Sequence, residues 1–299
     1  MADGDQARRA AAARLPPRVA FLGFGLIGGS IALALREAGY SGSMVAWTPR
    51  GSGPAEGVRR GFLDVAAATA TGATDGAELV ILAGPPLAVL DWLAEPDRQA
   101  MAPNATVTDV ASTKGRVVER ADAAGLAFVG GHPMAGRETT GAASASATLF
   151  VDRPWVIVPA AGAREVDIDR VVALAGGVGA RPIRMTASEH DAAVAAISHL
   201  PLVAAAALVE SVALSTGGAG DWPVARALAA TGWSDMTRLA RGDAEMGAGI
   251  LDTNRSAVAA RLRAYRDAID AWLQTLEGGA DAAALRSRLE SARDALGGR

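Results

Sequence analysis

The stretch Arg18-Val19-Ala20-Phe21-Leu22-Gly23-Phe24-Gly25-Leu26-Ile27-Gly28 decides the fold of this chain. Its first five residues form an apolar run typical of a buried strand, and apolar residues recur at helical spacing after the last glycine. A strand, a glycine turn and a helix are the setting in which G-x-G-x-x-G binds a dinucleotide, because the glycines allow the pyrophosphate to approach the backbone. We therefore predict a Rossmann-type unit. The predicted dinucleotide contacts in it are Gly23, Gly25, Leu26, Ile27 and Gly28.

The second predicted strand, Ser43–Trp47, indicates which dinucleotide is bound. Thr48 follows it, about 20 residues beyond the glycines, where NAD-specific proteins carry an acidic residue for the ribose hydroxyls. Thr48 and Arg50 offer a hydroxyl and a guanidinium instead, which suit a 2′-phosphate. NADP is therefore the preferred cofactor. NAD stays possible, because Arg50 could equally be an exposed surface residue.

Strand and helix patterns alternate through the first half of the chain. Apolar runs at 77–83, 105–110, 126–129 and 152–159 predict further strands, and 181–185 predicts an edge strand. Pro85 and Asp109, at the ends of two of these runs, are predicted to lie at the cofactor. Repeated strand–helix units indicate an α/β fold with a doubly wound parallel sheet.

The second half of the chain is predicted to be helical. Helices are expected to begin near Ser188, to kink at Pro201, and to cover 255–276 and 281–296. We predict a disordered lead at 1–17, a dinucleotide-binding domain at 18–163, and a helical substrate and dimerisation domain at 164–299. The many small residues of that half would let it pack against a second copy, which favours a homodimer.

Composition excludes several classes of function. The 299 residues are 50% hydrophobic and carry a net charge of −3, so neither nucleic acid nor an anionic membrane is an expected partner. With no cysteine and three histidines lacking metal-ligand spacing, no metal site is expected, and the lack of cysteine suits the cytoplasm. The apolar segment 192–209 contains His199 and Pro201, which favours a buried helix over a membrane span.

The stretch Gly130-Gly131-His132-Pro133-Met134-Ala135-Gly136 supplies the candidate chemistry. Glycine and proline around His132 predict a loop rather than a helix or strand. The apolar run before it would carry the imidazole to the carboxyl end of a sheet strand, where open α/β folds bind ligands. Taken alone, such a histidine could simply cap a turn.

Several motifs together resemble one family. They are the glycine turn, Thr108-Asp109-Val110-Ala111-Ser112-Thr113-Lys114, the stretch around His132, Ser198-His199-Leu200-Pro201 and Asp235-Met236-Thr237-Arg238. In this order they resemble the prephenate/arogenate dehydrogenase family of tyrosine biosynthesis. The resemblance implies a Rossmann domain, a helical dimerisation domain, and oxidative decarboxylation of a cyclohexadiene acid with NAD(P).

The resemblance also implies roles for individual residues. His132 would take the proton of the substrate's 4-hydroxyl, and Ser112 would hydrogen-bond that hydroxyl or the imidazole. Arg238 would hold the ring carboxylate, with Asp235 orienting its guanidinium. The other residues implied at the substrate are His199, Lys114 and Glu138. His190 is interpreted as a structural residue of a helix cap.

Two departures from the family pattern bear on specificity. Members that prefer prephenate with NAD often carry Asp at the position of Thr48 and an aromatic residue near Gly247, so this chain resembles the NADP-using arogenate branch. The choice of substrate side chain stays open. So do three alternatives: a β-hydroxyacid or pyrroline-type dehydrogenase, a non-catalytic nucleotide sensor, and a dehydrogenase of 4-amino-4-deoxyprephenate.

Overall fold

The computed structural model describes residues 2–94, 100–137, 139–214 and 222–297. The strands in these ranges are β1 (Arg18–Leu22), β2 (Ser43–Trp47), β3 (Val65–Ala66), β4 (Leu79–Leu82), β5 (Thr106–Asp109), β6 (Phe128–Pro133), β7 (Pro154–Pro159) and β8 (Arg181–Arg184). The helices of the first half are α1 (Ala2–Ala12), α2 (Leu26–Glu37), α3 (Ser52–Arg59), α4 (Ala70–Thr74), α5 (Pro86–Ala94), α6 (Gly115–Ala123) and α7 (Glu165–Gly177). Those of the second half are α8 (Ala187–Val194), α9 (Leu200–Val209), α10 (Trp222–Leu228), α11 (Thr231–Thr237), α12 (Ala244–Thr253), α13 (Arg255–Glu277) and α14 (Ala282–Ala295).

The strands form one sheet in the order β3-β2-β1-β4-β5-β6-β7-β8. Neighbours from β3 to β6 are parallel, β7 runs antiparallel to β6, and β8 is parallel to β7. Between β1 and β4 the chain switches from one side of the sheet to the other, and a ligand crevice forms at such a point. The predicted Rossmann-type sheet followed by helices is confirmed.

Burial explains why the central strands are continuous apolar runs. Helices cover both faces of the sheet, so both faces of β1 and β4 are buried. One face packs Phe21, Ile31 and Trp155 into a core, and the other packs Val80 and Phe128. The two cores leave the carboxyl edge of the sheet as the place for polar chemistry.

The predicted disorder of residues 1–17 is wrong. Residues 2–12 form α1, which packs on α7, and both Ala12 and Leu15 are buried. The contact is close, since a Cβ added at Gly176 would meet the Ala11 Cβ at 3.1 Å. Alanine is a strong helix former and needs no large side chain where helices approach this closely, so the lack of large apolar residues was misleading.

The predicted domain boundary at 163/164 is also wrong. Helix α7 packs against β5, β6, β7 and β8, and β8 pairs with β7 from Pro154↔Arg181 to Ile157↔Arg184. The sheet half therefore extends to Arg184. The predicted edge strand at 181–185 is confirmed as β8, whose own exposed residues explain why its pattern looked weak.

The helical half begins at a cap different from the predicted one. Thr186, not Ser188, is the N-cap of α8, and it forms a capping box with Glu189. A π-helical segment, Ala195–His199, separates α8 from α9 directly before Leu200 and Pro201. The predicted kink at Pro201 stays a prediction. The long helices predicted at 255–276 and 281–296 are confirmed as α13 and α14.

The apolar helical run Ala187–Leu214 is long and apolar enough to cross a membrane by length and composition alone. It was predicted to be buried, but only 22% of its most apolar 18-residue window is buried within this chain. The composition of this run, rich in Ala and Val, is typical of a buried helix. The spacing of its apolar residues, however, is too weakly periodic to show which face of the helix is covered. An apolar helix exposed in this way is typical of an interaction surface.

Candidate active site

The glycine turn between β1 and α2 allows neighbouring backbone, and a ligand, to approach it closely. Gly23 has φ +90°, and a Cβ there would meet the Ala83 carbonyl oxygen at 2.5 Å. A Cβ at Gly28 would meet the Gly23 oxygen at 3.0 Å, whereas Gly25 has open space around it. Gly25 is also the N-cap of α2, where no side chain caps the helix. The open N-terminus, with Leu26 and Ile27 in its first turn, fits a dinucleotide pyrophosphate.

The loop after β2 presents Thr48 and Arg50 at the same edge of the sheet. The Thr48 Oγ1 accepts a hydrogen bond from the Gly51 N–H at 3.0 Å, and Gly51 has the left-handed φ of +69° that this turn requires. The Arg50 side chain is exposed. A guanidinium and a hydroxyl therefore lie where the ribose of a Rossmann-bound dinucleotide is expected.

His132 lies in β6, where it pairs with Val156 of β7, so the prediction of a loop residue is wrong. The neighbouring glycines serve close packing in the strand, since a Cβ at Gly131 would meet the Asp109 carbonyl oxygen at 2.5 Å. The strand still brings the imidazole to the carboxyl edge of the sheet, as expected. A strand holds it more rigidly than a loop would.

The His132 ring contacts His190, which sequence reasoning assigned to a cap alone. The His132 Nδ1 lies 2.8 Å from the His190 Nε2, with the two rings edge to face at 77°. Burial lowers the pKa of His132 well below its usual range, and the neighbouring His190, Lys114 and His199 lower it further. His132 is therefore neutral at physiological pH and able to accept a proton. The adjacent His190-Asp191 pair in the sequence was the signal that was missed.

Asp191 joins the two halves of the chain beneath these rings. Its Oδ1 lies 2.8 Å from the His190 Nδ1 and accepts the Lys114 backbone N–H at 2.8 Å, and its Oδ2 accepts the Gly115 N–H at 2.8 Å. Burial raises the pKa of Asp191, but the hydrogen bonds from His190, Gly115 and Lys114 outweigh it and lower the pKa overall. The carboxylate is therefore ionised.

Lys114 and Asp109 form an ion pair in which both side chains are 0% exposed. Asp109 also accepts the N–H groups of Ala111 and Gly131. Burial lowers the pKa of Lys114, opposed by the Asp109 charge. The ion pair is buried under β6 and supports the strand that carries His132. That Lys114 also lies at the substrate and Asp109 at the cofactor stays a prediction.

His199, in the π-helical segment, is buried, as His190 is. Its Nδ1 lies 3.2 Å from the Asn254 Nδ2, and its buried Nε2 has no partner among the residues that the structure describes. Burial lowers its pKa to about 4, with the Asp191 charge opposing the shift and His190 adding to it. A neutral ring with one free nitrogen is available to a ligand. Sequence reasoning named His199 but not Asn254.

The remaining predicted residues lie at different depths. Ser112 is half-buried in the β5–α6 loop, just after the strand that pairs with β6, and Pro85 is half-buried after β4. Asp235 in α11 and Arg238 in the following 3-10 turn Arg238–Arg241 are exposed, and this turn packs on α9. Glu138 lies outside the described residues. The structure thus brings His132 and His199 together with His190, and leaves Arg238 on the surface of the helical half.

Comparison with known proteins agrees with this geometry. The family described as prephenate dehydrogenase, nucleotide-binding domain, matches residues 31–184, and its dimerization domain matches residues 186–290. The boundary between the two matches falls at the end of β8.

Individual relatives are similar along most of the chain. A prephenate dehydrogenase of Bacillus subtilis is 30% identical over 258 residues, covering 85% of this chain and 67% of its own length. The crystal structure of Synechocystis arogenate dehydrogenase has a TM-score of 0.77 at 28% identity, covering 93% of this chain and 99% of that one. A prephenate dehydrogenase structure from Aquifex aeolicus shares the fold, with a TM-score of 0.83 at 22% identity over 94% of this chain and 98% of that one. This chain belongs to the prephenate dehydrogenase family.

Proposed function

We propose that the protein catalyses the oxidative decarboxylation of prephenate or arogenate, with hydride transfer to NADP⁺ in preference to NAD⁺. The observation that carries the proposal is a neutral, strand-borne His132 at the carboxyl edge of a dinucleotide-binding sheet. The family matches over both halves of the chain support the same reaction.

The residues fit the proton transfer that this reaction needs. NAD(P)⁺, when bound, accepts the hydride from the ring carbon that carries the hydroxyl. That hydroxyl must lose its proton as the carbon becomes a carbonyl, and a neutral imidazole is a suitable acceptor. His132 takes this proton, and Ser112, in the loop after the neighbouring strand β5, hydrogen-bonds the same hydroxyl. Loss of carbon dioxide then makes the ring aromatic.

Substrate binding falls to the helical half in this proposal. Arg238 binds the ring carboxylate, which a guanidinium can hold through two hydrogen bonds, and Asp235 orients it. His199 contacts the substrate side chain. Glu138, which lies outside the described residues, is a candidate for the same side chain from the family resemblance alone. The preference for NADP rests on Thr48 and Arg50, because neither repels a 2′-phosphate as an acidic residue would.

We further propose that the protein is a cytoplasmic homodimer. The dimerization-domain match covers the half of the chain that exposes the apolar run Ala187–Leu214. A second copy packed on this run would remove the apolar surface from water, which is the main driving force for association. The run also carries His190 and His199, so the same packing would hold the site rigid.

Initial rates of cofactor reduction, followed by absorbance, test the proposal. Prephenate and arogenate are each paired with NAD and with NADP. Turnover in any pair supports the reaction, and the fastest pair identifies substrate and cofactor together. If a folded protein that binds a dinucleotide turns over none of them, the proposal is wrong. The alternatives to test are then a dehydrogenase of 4-amino-4-deoxyprephenate and a non-catalytic nucleotide sensor.

A further inference from the structure

We infer that the helical half fixes two site histidines in opposite tautomers. In this inference Asp191 and His190 leave the His132 Nε2 as a proton acceptor, while Asn254 leaves the His199 Nε2 as an N–H donor. His190, Asp191 and Asn254 are positioning residues, since they act through the two histidines. The inference deepens the proposed function, on which its kinetic consequences rest, but the tautomers themselves can be observed without turnover.

The first chain of hydrogen bonds starts at Asp191. An ionised carboxylate only accepts hydrogen bonds, so the His190 Nδ1, 2.8 Å from the Asp191 Oδ1, must carry the hydrogen. In the tautomer that we infer, the His190 Nε2 carries the lone pair. That nitrogen lies 2.8 Å from the His132 Nδ1, which is then the donor. The lone pair of His132 is left on Nε2.

This arrangement of hydrogens allows His132 to act as a general base through its Nε2. The O–H bond of the substrate hydroxyl breaks as the Nε2–H bond of His132 forms, and the hydroxyl oxygen keeps the electron pair. The imidazolium that results still donates its Nδ1–H to His190, whose other nitrogen is held by the Asp191 charge. A buried carboxylate in this position both orients the base and stabilises its charged form.

The second chain starts at Asn254, which is buried between α12 and α13. Its Nδ2 lies 2.8 Å from the Asp191 carbonyl oxygen, an atom that can only accept, so the amide orientation is fixed with its NH₂ group inward. The same NH₂ group lies 3.2 Å from the His199 Nδ1, which must accept. A neutral His199 therefore carries its hydrogen on Nε2.

The His199 Nε2–H is a buried donor with no partner among the described residues. An unpaired buried donor is costly, so such a group is expected to meet a ligand acceptor. A carboxylate or carbonyl oxygen of the substrate side chain has the right chemistry. The two histidines thus meet the substrate in complementary ways, one accepting a proton and the other donating a hydrogen bond.

The chain has only three histidines, which makes the tautomers directly observable. Full-length protein labelled with [¹⁵N]histidine gives long-range ¹H–¹⁵N correlations that distinguish Nδ1–H from Nε2–H rings. Single His→Gln variants assign the signals. We expect Nδ1–H for His132 and His190 and Nε2–H for His199 at neutral pH. An Nε2–H His132, a doubly protonated His190 or an Nδ1–H His199 would overturn the inference.

Kinetics separate a positioning role of His190 from simple packing. His190→Gln keeps an acceptor oxygen for the His132 Nδ1–H, whereas His190→Leu removes it. We expect the Leu variant to lose roughly 10²-fold in kcat and the Gln variant less than about 10-fold, with the KM for substrate nearly unchanged in both. Equal losses in the two variants would contradict the positioning role.

Asn254→Asp tests the second chain. A carboxylate cannot donate to the His199 Nδ1, so the ring should switch to Nδ1–H and present a bare Nε2 to the substrate. We expect the substrate KM to rise about 10-fold with kcat changed little, and the ¹⁵N signal of His199 to switch. An unchanged signal and KM would overturn this half of the inference. If the wild-type protein turns over no substrate, the proposed function is wrong. The ¹⁵N signals of the three histidines would still show whether the inferred tautomers are correct.

Discussion

The two halves of this molecule differ in which unusual residues they bury and expose. The sheet half buries a complete Lys114–Asp109 ion pair, while the helical half exposes large apolar side chains such as Leu214 at 70% and Leu228 at 78%. The buried charges lie directly under the strand of the candidate base and stabilise its position. The exposed leucines show a surface that one copy of the chain leaves uncovered. The first half buries its apolar cores within this chain, whereas the second exposes the surface that the proposed second copy would cover.

The largest expected effect comes from breaking the buried pair. Lys114→Met leaves the Asp109 charge buried and alone, which should lower the free energy of unfolding by about 3–5 kcal/mol. Arg116→Met is the matched control, because its bridge to Asp252 is exposed and should be worth less than about 1 kcal/mol. Urea unfolding measures both. Similar losses of unfolding free energy in the two variants would mean that the buried ion pair stabilises the protein no more than the exposed one does.

His132→Asn should remove the base and leave the cofactor cradle intact. The amide is similar in shape to part of the imidazole but cannot take the hydroxyl proton, so kcat should fall by roughly 10²-fold or more. Calorimetric titration with NADP should give an unchanged Kd, because the glycine turn lies on β1 and α2. Unaltered turnover would remove His132 from the mechanism.

The uncovered face of the helical half can be tested by charge. Ile269 and Leu273 lie one turn apart on the exposed side of α13, and Ile269→Glu with Leu273→Glu should weaken the proposed dimer by roughly 10²-fold. Val65→Glu on the edge of the sheet half alters an equally exposed apolar residue and should change nothing. Sedimentation equilibrium measures the association. A monomeric wild-type protein, or equal effects of both variants, would contradict the comparison.

Arg238→Ala asks whether the helical half binds substrate rather than assists the chemistry. Loss of a charge-assisted carboxylate contact costs about 1.5–3 kcal/mol, so the substrate KM should rise between 10-fold and 100-fold with a smaller change in kcat. Steady-state kinetics with the preferred substrate decides this. A fall in kcat at constant KM would place Arg238 in the reaction step instead.

The smallest effect is expected at the cofactor end of the sheet half. Thr48→Asp should shift the ratio of kcat/KM values toward NAD by about 10-fold, because the new carboxylate repels a 2′-phosphate and can bind the ribose hydroxyls. Arg50→Ala should raise the KM for NADP and leave that for NAD unchanged. If neither variant alters the ratio, the 2′-phosphate is bound elsewhere.

Sequence patterns predicted the sheet well because its strands are buried on both faces and are therefore continuous apolar runs. They also singled out His132 and His199, which the structure places near one another and whose roles stay predictions. They did not show contacts made across the fold: Asn254 meets His199 only through tertiary packing, and Lys114 pairs with Asp109 under β6. The glycines before His132 suggested a loop, because glycine is found both where the backbone needs a positive φ and where two segments pack closely. The sequence alone does not distinguish these two reasons.

The contact between α1 and α7 has a practical consequence for protein production. A gene trimmed to begin at Arg18 would look harmless by composition, yet it would strip the cover from Gly176 and Gly177, whose backbones lie against Ala11 and Ala12. Such a trimmed protein would expose to solvent the face of α7 that α1 covers, on the outside of the sheet half. Solubility screening should therefore retain the alanine-rich leader and place affinity tags ahead of it.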